Sequence, residues 1–369
     1  MIRCNDQYED NRRKLFPNVA DDEWTDFHWQ LQHRITDRAS LNTLLGTDFS
    51  FSDELHFALT PHLLALANDY SRENGILRQV IPDDREMSKA KSLTLDPFDE
   101  QIKSPLCRLV KRYPDRILVL TTNMCPSYCR YCTRKWNWTD NFTISKEEID
   151  QAAAFLRTQP QIREVIISGG EPMLLPVQTL DYMLAAFSRI DYIENIRIAS
   201  RSLTFCPQLI TADKTNIMKK YKPLWMITHF NHPDEFTGIA DEKVEMLQEA
   251  HVALANQSVL LRGVNDDIQT MKTLLTRLET FRIKPYYLFQ CDLVDGTNHF
   301  RCDHQRGMEI IDSLQGDIGG LCLPTFVIDL PDGGKVPMVA NHILTENDET
   351  VTFRNYEGRA KIYPKIKTE

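Results

Sequence analysis

The chain has 369 residues, more than one small hydrophobic core needs, so a large α/β domain with additional segments is expected. Its formal net charge of -9 excludes the general basic surface by which many proteins bind nucleic acid, so we expect no nucleic-acid partner. No stretch approaches the ~20 apolar residues that cross a membrane and no signal sequence is visible, which favours a cytoplasmic protein without a membrane partner.

The N-terminal region, residues 1–110, is predicted to be helical and polar. Asp21 or Asp22 can cap a helix, because an aspartate side chain accepts hydrogen bonds from the first free backbone amides. The polar stretch 93–103 lacks a clear period and is predicted to be a connection. Helices are expected from the aspartate cap to Leu31 and over 53–70 and 84–91.

Residues 111–315 alternate between short β-branched apolar runs and amphipathic helical windows. Six strand–helix units in sequence require parallel strands with right-handed crossovers, which a doubly wound sheet or a barrel provides. Nearly every predicted strand ends in a polar cluster, and in a barrel those ends share one face, so we favour an incomplete (β/α)6 TIM-like barrel. The strands are predicted over Ile117–Thr122, Arg163–Ser168, Asn195–Ala199, Leu224–His229, Ala253–Leu261 and Lys284–Gln290, and the helices over 145–158, 177–190, 213–221, 240–250, 265–279 and 303–314.

The C-terminal segment, residues 316–369, does not continue this alternation. It is too short to form an independent core, so we expect it to pack across the barrel and close its mouth. Strand-like runs are predicted over Thr325–Leu330, Met338–Asn341 and Thr350–Arg354.

Three cysteines follow the first barrel strand with the spacing C-x3-C-x2-C: Cys125, Cys129 and Cys132. Cysteine thiolates are the usual ligands of iron–sulfur clusters, and a 4Fe-4S cluster held by three of them leaves one iron open. We expect that iron to bind S-adenosylmethionine for radical chemistry. The alternatives are a zinc site with a fourth cysteine supplied by the fold and a C-x-x-C redox pair. The nine cysteines are irregularly spaced, which favours a reduced protein over a disulfide framework.

The second barrel strand ends in Ser168, Gly169, Gly170 and Glu171. Two glycines allow a backbone to approach a ligand closely, and the glutamate could accept a hydrogen bond from an ammonium group. In isolation this stretch would be a simple strand-to-helix turn. Beside a three-cysteine loop, an edge that binds the methionine part of S-adenosylmethionine is the better interpretation.

Lys335 follows two glycines, a position that ordinarily indicates a surface lysine. It gains a chemical role only if pyridoxal phosphate is present, because that cofactor forms a Schiff base with a lysine. Arg112 and Arg116 flank Tyr113 just before the first barrel strand, so they could hold a phosphate with the tyrosine ring over a planar heterocycle. A solvated basic turn is the alternative.

Three further charged residues could contact a substrate. Arg134 comes two residues after the last cysteine of the triplet and could bind a carboxylate through its forked guanidinium. Asp292 and Asp329 lie near the ends of two strand-like runs, where aspartates often cap turns. If both face one cavity, they would attract the cationic end of a substrate.

Taken together, these stretches resemble the lysine 2,3-aminomutase family over about residues 10 to 365. The resemblance is carried by long matched strings, which are more specific than a cysteine triplet. They include 22–24, 29–30, 112–116, 125–134, 168–171, 228–233, 256–266, 285–287, 290–293, 324–329 and 333–335.

The resemblance implies three cofactors and a role for each candidate residue. Cys125, Cys129 and Cys132 would hold a 4Fe-4S cluster, and S-adenosylmethionine would lie near Ser168, Gly169, Gly170, Glu171, His229 and Gln257. Lys335 would carry pyridoxal phosphate, Arg112 and Arg116 would hold its phosphate, and Tyr113 would lie beside its ring. Arg134 would bind the α-carboxylate of the substrate, and Asp292 and Asp329 its distal ammonium group.

The expected reaction moves the α-amino group of L-lysine to the β-carbon, with arginine or a protein-bound lysine as alternative substrates. A non-enzymatic iron–sulfur carrier is the alternative outside this class, although it leaves Lys335 and the arginines unexplained. Tyr131 stands where the best-known relatives have histidine. No zinc is expected, because the cysteine-rich C-terminal extension of the larger members has no counterpart after Cys322. The expected partners are an external electron donor of the flavodoxin or ferredoxin type and further copies of the chain in a homo-oligomer.

Overall fold

The fold is a computed structural model that describes residues 5–88, 90–138, 141–331, 333–355 and 357–365. Within these residues, nine strands form one sheet in the order of the sequence, and β2 to β8 run parallel. Helices pack on the outside, so the architecture is the incomplete barrel predicted from the alternation. The strands of this sheet are β1 (Leu109–Tyr113), β2 (Arg116–Leu120), β3 (Glu164–Ser168), β4 (Asn195–Ala199), β5 (Leu224–Thr228), β6 (Ala253–Leu260), β7 (Lys284–Gln290), β8 (Thr325–Leu330) and β9 (Gly334–Pro337).

Helices cover the outer face of the barrel and build the N-terminal region. Those of the N-terminal region are α1 (Tyr8–Leu15), α2 (Asp21–Thr25), α3 (Phe27–Gln32), α4 (Arg38–Leu45) and α5 (Pro61–Ala65). Those around the barrel are α6 (Lys146–Leu156), α7 (Val177–Ser188), α8 (Ser202–Phe205), α9 (Ala212–Met218), α10 (Gly238–Glu249), α11 (Ile268–Thr280) and α12 (His304–Leu314). Among the described helices, none is long and apolar enough to cross a membrane.

Alternation along the strands decides what each barrel residue contacts. In β2 and β3, Val119 and Ile167 are fully buried in the hydrophobic core between sheet and helices. Their neighbours Leu118 and Ile166 point the other way and line the cavity inside the barrel. Successive side chains of a strand face opposite sides of the sheet, so each strand contributes to the core and to the cavity at once.

The two edges of the sheet meet through side chains. β1 pairs antiparallel with β2, and β9 pairs antiparallel with β8. Among the described residues, no backbone ladder joins β1 to β9. Arg112 on β1 instead pairs with Asp329 on β8 at 2.9 Å, and Lys335 on β9 donates to the hydroxyl of Tyr113 at 3.2 Å. β8 and β9 of the C-terminal segment thus extend the sheet towards β1 and help to close the barrel.

The strand predictions were accurate for the barrel but not for its edges. All six predicted barrel strands are present, whereas β1 and β9 were missed. The strand predicted over Met338–Asn341 is wrong, because the pairing with β8 begins at Gly334 and ends at Pro337. Gly334 has φ +69°, which permits the tight turn that brings the chain straight back along β8.

The helix predictions for the N-terminal region were too long. The helix expected over 53–70 is confined to α5, because Pro61 occupies its first turn and the side chain of Thr60 caps it. The helix expected over 84–91 is a single 3₁₀ turn, Asp84–Met87. The helix expected to reach Leu31 is split at Asp26, whose carboxylate accepts from the His28 amide and starts α3.

The end of the described chain forms a separate three-stranded antiparallel sheet. Its strands are β10 (Ile343–Glu346), β11 (Thr350–Arg354) and β12 (Ala360–Pro364). Asp312 on α12 connects this sheet to the barrel, since His342 and Arg354 approach its carboxylate at 3.5 and 3.2 Å. The prediction of a strand over Thr350–Arg354 is confirmed.

A glycine substitution tests the packing between α12 and β8. A methyl group at Gly307 would overlap the buried ring of Phe326. Gly307→Ala is therefore expected to lower the free energy of unfolding by about 1–3 kcal/mol, the usual cost of overpacking a core. Gly238 on α10 has open space around its position, so Gly238→Ala is the matched control and should not destabilise. Denaturant unfolding of both variants checks the prediction, and equal stabilities would contradict it.

Candidate active site

One cavity of about 410 Å³ opens inside the barrel and at the carboxyl ends of its strands. Every residue that the sequence singled out for a site lines this cavity. They are Arg112, Tyr113, Arg116, Cys125, Cys129, Cys132, Arg134, Ser168, Gly169, Gly170, Glu171, His229, Gln257, Asp292, Asp329 and Lys335. The barrel therefore brings together residues that are more than 200 positions apart in the sequence.

The cysteine loop follows β2 and is fixed by a buried ion pair. Arg130 forms two bonds with the Glu86 carboxylate, at 2.8 and 2.9 Å, and Lys135 approaches the same carboxylate at 3.0 Å. Such forked pairs hold a loop in one geometry. The loop thus presents its thiols from a rigid support in the N-terminal region.

The three thiols all line the cavity. Among the described residues, no three His, Cys, Asp or Glu side chains are grouped as a site for a single metal ion. A 4Fe-4S cluster needs a wider spacing, because each thiolate binds a different iron. Burial raises the pKa of Cys132 to about 11, with the Cys129 thiol adding to the shift. Iron must therefore displace a proton from this thiol when it binds.

Gly169 and Gly170 pack against the cysteine loop. Gly169 has φ +127°, and a side chain at Gly170 would overlap the carbonyl of Met124. The Gly170 amide donates to Thr122 O at 2.5 Å, and the following amide donates to Met124 O at 2.8 Å. Both glycines are thus required by close packing of two backbones, a reason that the sequence reading did not give.

Glu171 turns its carboxylate towards the end of β4. It accepts hydrogen bonds from Ser200 Oγ at 2.8 Å, from the Arg201 amide at 2.8 Å and from the Met173 amide at 3.0 Å. Burial raises the pKa of this carboxyl, and these bonds partly oppose the shift. Three protein donors already bind the two oxygens of Glu171. Its expected contact with an ammonium group stays a prediction.

Lys335 is placed on β9 rather than on a flexible surface turn. Its Nζ is 3.2 Å from the Tyr113 hydroxyl and 3.3 Å from Asp329 Oδ2. The Tyr113 ring is close to two cations, with Arg116 at 4.3 Å and Lys335 at 4.9 Å from its centre. A lysine, an aromatic ring and a guanidinium at one wall of a cavity suit a planar, phosphorylated cofactor.

The arginines of this wall differ in their acidic partners, and binding of a phosphate by Arg112 and Arg116 stays a prediction. Arg112 directs its fork to Asp329, at 2.9 and 3.2 Å, whereas the acidic neighbours of Arg116 among the described residues are Asp115 at 3.7 Å and Glu164 at 3.8 Å. Arg197 on β4, which sequence reasoning missed, also lines the cavity. Its Nη2 pairs with the Glu164 carboxylate, and its buried Nε lacks a hydrogen-bond partner among the described residues.

Arg197 carried a signal that could have been recognised. It occupies the inward position of an alternating strand, between the buried residues Ile196 and Ile198. A charged residue at such a position faces the interior of a barrel. Among the described residues its Nε remains a donor without a partner beside the pair with Glu164, whereas Arg112 contacts Asp329 through both Nη atoms.

The two aspartates are in different environments. Asp329 is paired with Arg112 and Lys335. Burial raises the pKa of Asp292 to about 7, and the nearby Asp329 adds to the shift, while Arg112 and Lys335 partly oppose it. Asp292 thus gains most from an incoming cation, because the cation supplies a partner for a buried carboxylate.

Arg134 is held by an acidic partner that the sequence did not indicate. Its guanidinium forms two bonds of 2.8 Å with Glu100, and Nη1 lies 3.4 Å from Ser168 Oγ. Glu100 lies within the stretch 93–103, which was predicted only as a connection. Binding of a carboxylate by Arg134 stays a prediction and would use the edge of the guanidinium that faces the cavity.

His229 directly follows β5 and Gln257 lies on the neighbouring strand β6, and both line the cavity together with the cysteine loop. His229 Nε2 is 3.0 Å from the hydroxyl of Tyr131. Burial lowers the pKa of His229 to about 3, and the Arg201 charge adds to the shift, so the imidazole is neutral at physiological pH. A neutral ring can donate or accept one hydrogen bond without adding charge near the thiols.

Comparison with known proteins gives a consistent result. Two family models match the chain, the Radical SAM superfamily over residues 119–275 and Lysine-2,3-aminomutase over residues 311–368. The chain is 40% identical to the L-lysine 2,3-aminomutase of Clostridium subterminale, over 96% of this chain and 87% of that protein. It is 39% identical to the L-lysine 2,3-aminomutase of Fusobacterium nucleatum, over 95% and 85% of the two chains. It is 34% identical to the glutamate 2,3-aminomutase of Clostridioides difficile, over 93% and 83%.

Proposed function

The chain belongs to the lysine 2,3-aminomutase family of radical S-adenosylmethionine isomerases, and on that premise we propose that it moves the α-amino group of L-lysine to the β-carbon. The observation that carries the proposal is that the three cysteines, Lys335 and Asp292 line the same cavity. One small molecule in this cavity can thus contact a radical source, an amine-binding cofactor and a binding partner for its distal cation.

Family membership implies a 4Fe-4S cluster and S-adenosylmethionine, and pyridoxal phosphate is part of the proposal. When bound, the cluster and S-adenosylmethionine supply a radical that removes a hydrogen atom, and pyridoxal phosphate supplies a conjugated ring that supports the moving nitrogen. Cys125, Cys129 and Cys132 are proposed to hold the cluster. The electron donor is proposed to be of the flavodoxin or ferredoxin type, and the working form a homo-oligomer.

Lys335 and its neighbours are proposed to hold pyridoxal phosphate at one wall. Tyr113 and Asp329 both bond to Lys335 Nζ and orient it into the cavity. Arg116 and Arg197 supply positive charge for the phosphate, and the Arg197 Nε is a donor without a protein partner among the described residues. A preset geometry of this kind lowers the entropy cost of bringing the reacting atoms together.

The charged residues that line the cavity support lysine over glutamate as the substrate. Arg134 is the proposed partner of the α-carboxylate, and Asp292 the partner of the distal cation. A glutamate side chain would bring a second carboxylate towards Asp292 and Asp329, which is unfavourable in a buried site. A guanidinium would suit the two aspartates as an ammonium does, so arginine is the second candidate.

A substrate panel tests the proposal. Anaerobically reconstituted protein is incubated with S-adenosylmethionine, pyridoxal phosphate, a reductant and L-lysine, L-arginine or L-glutamate in separate reactions. Formation of β-lysine at the highest rate is expected. Preferential turnover of arginine would transfer the proposal to that substrate, and preferential turnover of glutamate would contradict the role of Asp292. Turnover of none of the three free amino acids, with a lysine in a protein modified instead, would support the remaining alternative.

A further inference from the structure

A buried arginine contacts the sulfur of one proposed cluster ligand. Arg201 follows β4, and only 8% of its surface is exposed. Its Nη1 donates to Cys129 Sγ over 2.8 Å. In the sequence this residue stood out only as part of a polar strand end. The contact places a fixed positive charge directly beside one of the three thiols.

All five donors of this guanidinium are used. Nε contacts Thr204 Oγ1 at 3.3 Å, Nη1 contacts Cys129 Sγ at 2.8 Å and Tyr131 OH at 2.5 Å, and Nη2 contacts Gln79 Oε1 at 2.6 Å and Glu235 Oε1 at 2.9 Å. Arginine has five N–H donors in a rigid planar fork. Turning the fork away from the sulfur would leave several buried donors unpaired, which is costly.

The partners of Arg201 are themselves fixed. The Glu235 carboxylate also accepts from the backbone amides of Asn231 at 2.6 Å and His232 at 3.1 Å. The Tyr131 hydroxyl accepts from the Asn231 side chain at 2.5 Å and lies 3.0 Å from His229 Nε2. The guanidinium is therefore held from the N-terminal region, the cysteine loop and the end of β5 at once.

We propose that Arg201 is a positioning residue that sets the reduction potential of the cluster through its hydrogen bond to the Cys129 sulfur. This inference rests on the proposed function, because it requires the cluster that family membership implies. Hydrogen bonds to the ligand sulfurs and net charge are two main determinants of cluster potential. A cationic donor stabilises the cluster after it gains an electron more than before, so Arg201 makes reduction easier.

The redox step is a single electron transfer. One electron leaves a low-potential donor of the flavodoxin or ferredoxin type and enters the cluster, and no covalent bond is formed or broken. In the experiment titanium(III) citrate takes the place of that donor and is oxidised to titanium(IV). The measured quantity is the ratio of reduced to oxidised cluster at a fixed solution potential, read by electron paramagnetic resonance without turnover.

Arg201→Gln is the main variant. At the potential where half of the wild-type cluster is reduced, its ratio of reduced to oxidised cluster is expected to be about tenfold lower, equivalent to about 59 mV for a one-electron couple. Arg201→Lys keeps the cation without the fork, so a smaller shift in the same direction is expected. If Arg201→Gln binds no cluster, the reduction potential of Arg201→Lys tests the proposal instead.

Arg34 provides a matched control. It also bonds to the cysteine loop, but its Nη1 donates to the backbone oxygen of Cys125 at 3.0 Å and not to a sulfur. Arg34→Gln also removes one positive charge, but it removes no hydrogen bond to a sulfur. The change in reduction potential should therefore be clearly smaller than in Arg201→Gln. An equal shift in this control, or an unchanged potential in both Arg201 variants, would overturn the inference alone. Wild-type protein that binds no iron would overturn both the inference and the proposed function.

Discussion

Lys335→Ala is expected to reduce amino-group migration by roughly 10³-fold or more, the scale seen when a residue essential to a reaction is removed. Lys335 Nζ is the amine on the cavity wall beside Tyr113, Arg116 and Asp329. Without that amine, the proposed pyridoxal phosphate would lack its covalent attachment, and its ring would no longer be held at this wall of the cavity. The visible absorption band of the lysine-bound cofactor should also be lost.

The control for this variant is Lys361→Ala on β12, an exposed lysine of the separate C-terminal sheet. It should keep both the absorption band and the activity. Iron content measured in parallel should be unchanged in both variants, because the cysteine loop is held by Arg130 and Glu86 and not by Lys335. A Lys335→Ala protein that still forms β-lysine at near wild-type rate would refute the assignment of this lysine.

Asp292→Asn is expected to weaken the binding of L-lysine by about 30-fold or more, equivalent to about 2 kcal/mol for removing one partner of a buried charge pair. Asp329 should not compensate, since its carboxylate is already paired with Arg112 and Lys335. The effect should appear mainly in KM or Kd, because Asp292 is proposed to bind the distal end of the substrate and not the reacting carbons. Asp295→Asn, a neighbouring aspartate that does not line the described cavity, is the control.

The same residue predicts a pH dependence of substrate binding. The pKa of Asp292 is raised to about 7, mainly by burial. Below that value the carboxyl is largely neutral, and above it the carboxylate can pair with an ammonium group. Affinity for L-lysine should therefore rise with pH through about 7 and then level off, and the Asp292→Asn variant should lack this rise. A profile that is equally steep in the variant would assign the titration to another group.

Much of the barrel follows from the sequence because its signals are local. Runs such as 117–120 and 224–228 are short and apolar, and such runs form buried parallel strands. The edge strands β1 and β9 were missed for a physical reason. β1 includes the charged residues Lys111 and Arg112, and β9 starts at Gly334, so neither resembles a buried strand. Their pairing with β2 and β8 supplies the stability that their own composition does not indicate.

The sequence predicted which residues line the candidate site but not which residues they pair with. The cysteine triplet, Lys335 and the aspartates were recognised from motifs that resemble a family. The partners Glu100, Arg197 and Arg201 were not, because each contact depends on bringing distant segments together. Arg201, for example, reaches Cys129 over 72 positions of sequence. Ion pairs and buried networks of this type are decided by the fold and leave little trace in local patterns.

Migration of the amino group of L-lysine within the cavity is tested most directly with a nitrogen-15 label. L-Lysine labelled at its α-amino group is incubated anaerobically with reconstituted protein, S-adenosylmethionine, pyridoxal phosphate and a reductant, and the product is examined by nitrogen-15 nuclear magnetic resonance. The predicted result is β-lysine with the label on the β-nitrogen, formed only when both small-molecule cofactors are present. The contradicting result is recovery of all the label in unchanged lysine from protein that carries a full cluster and bound pyridoxal phosphate.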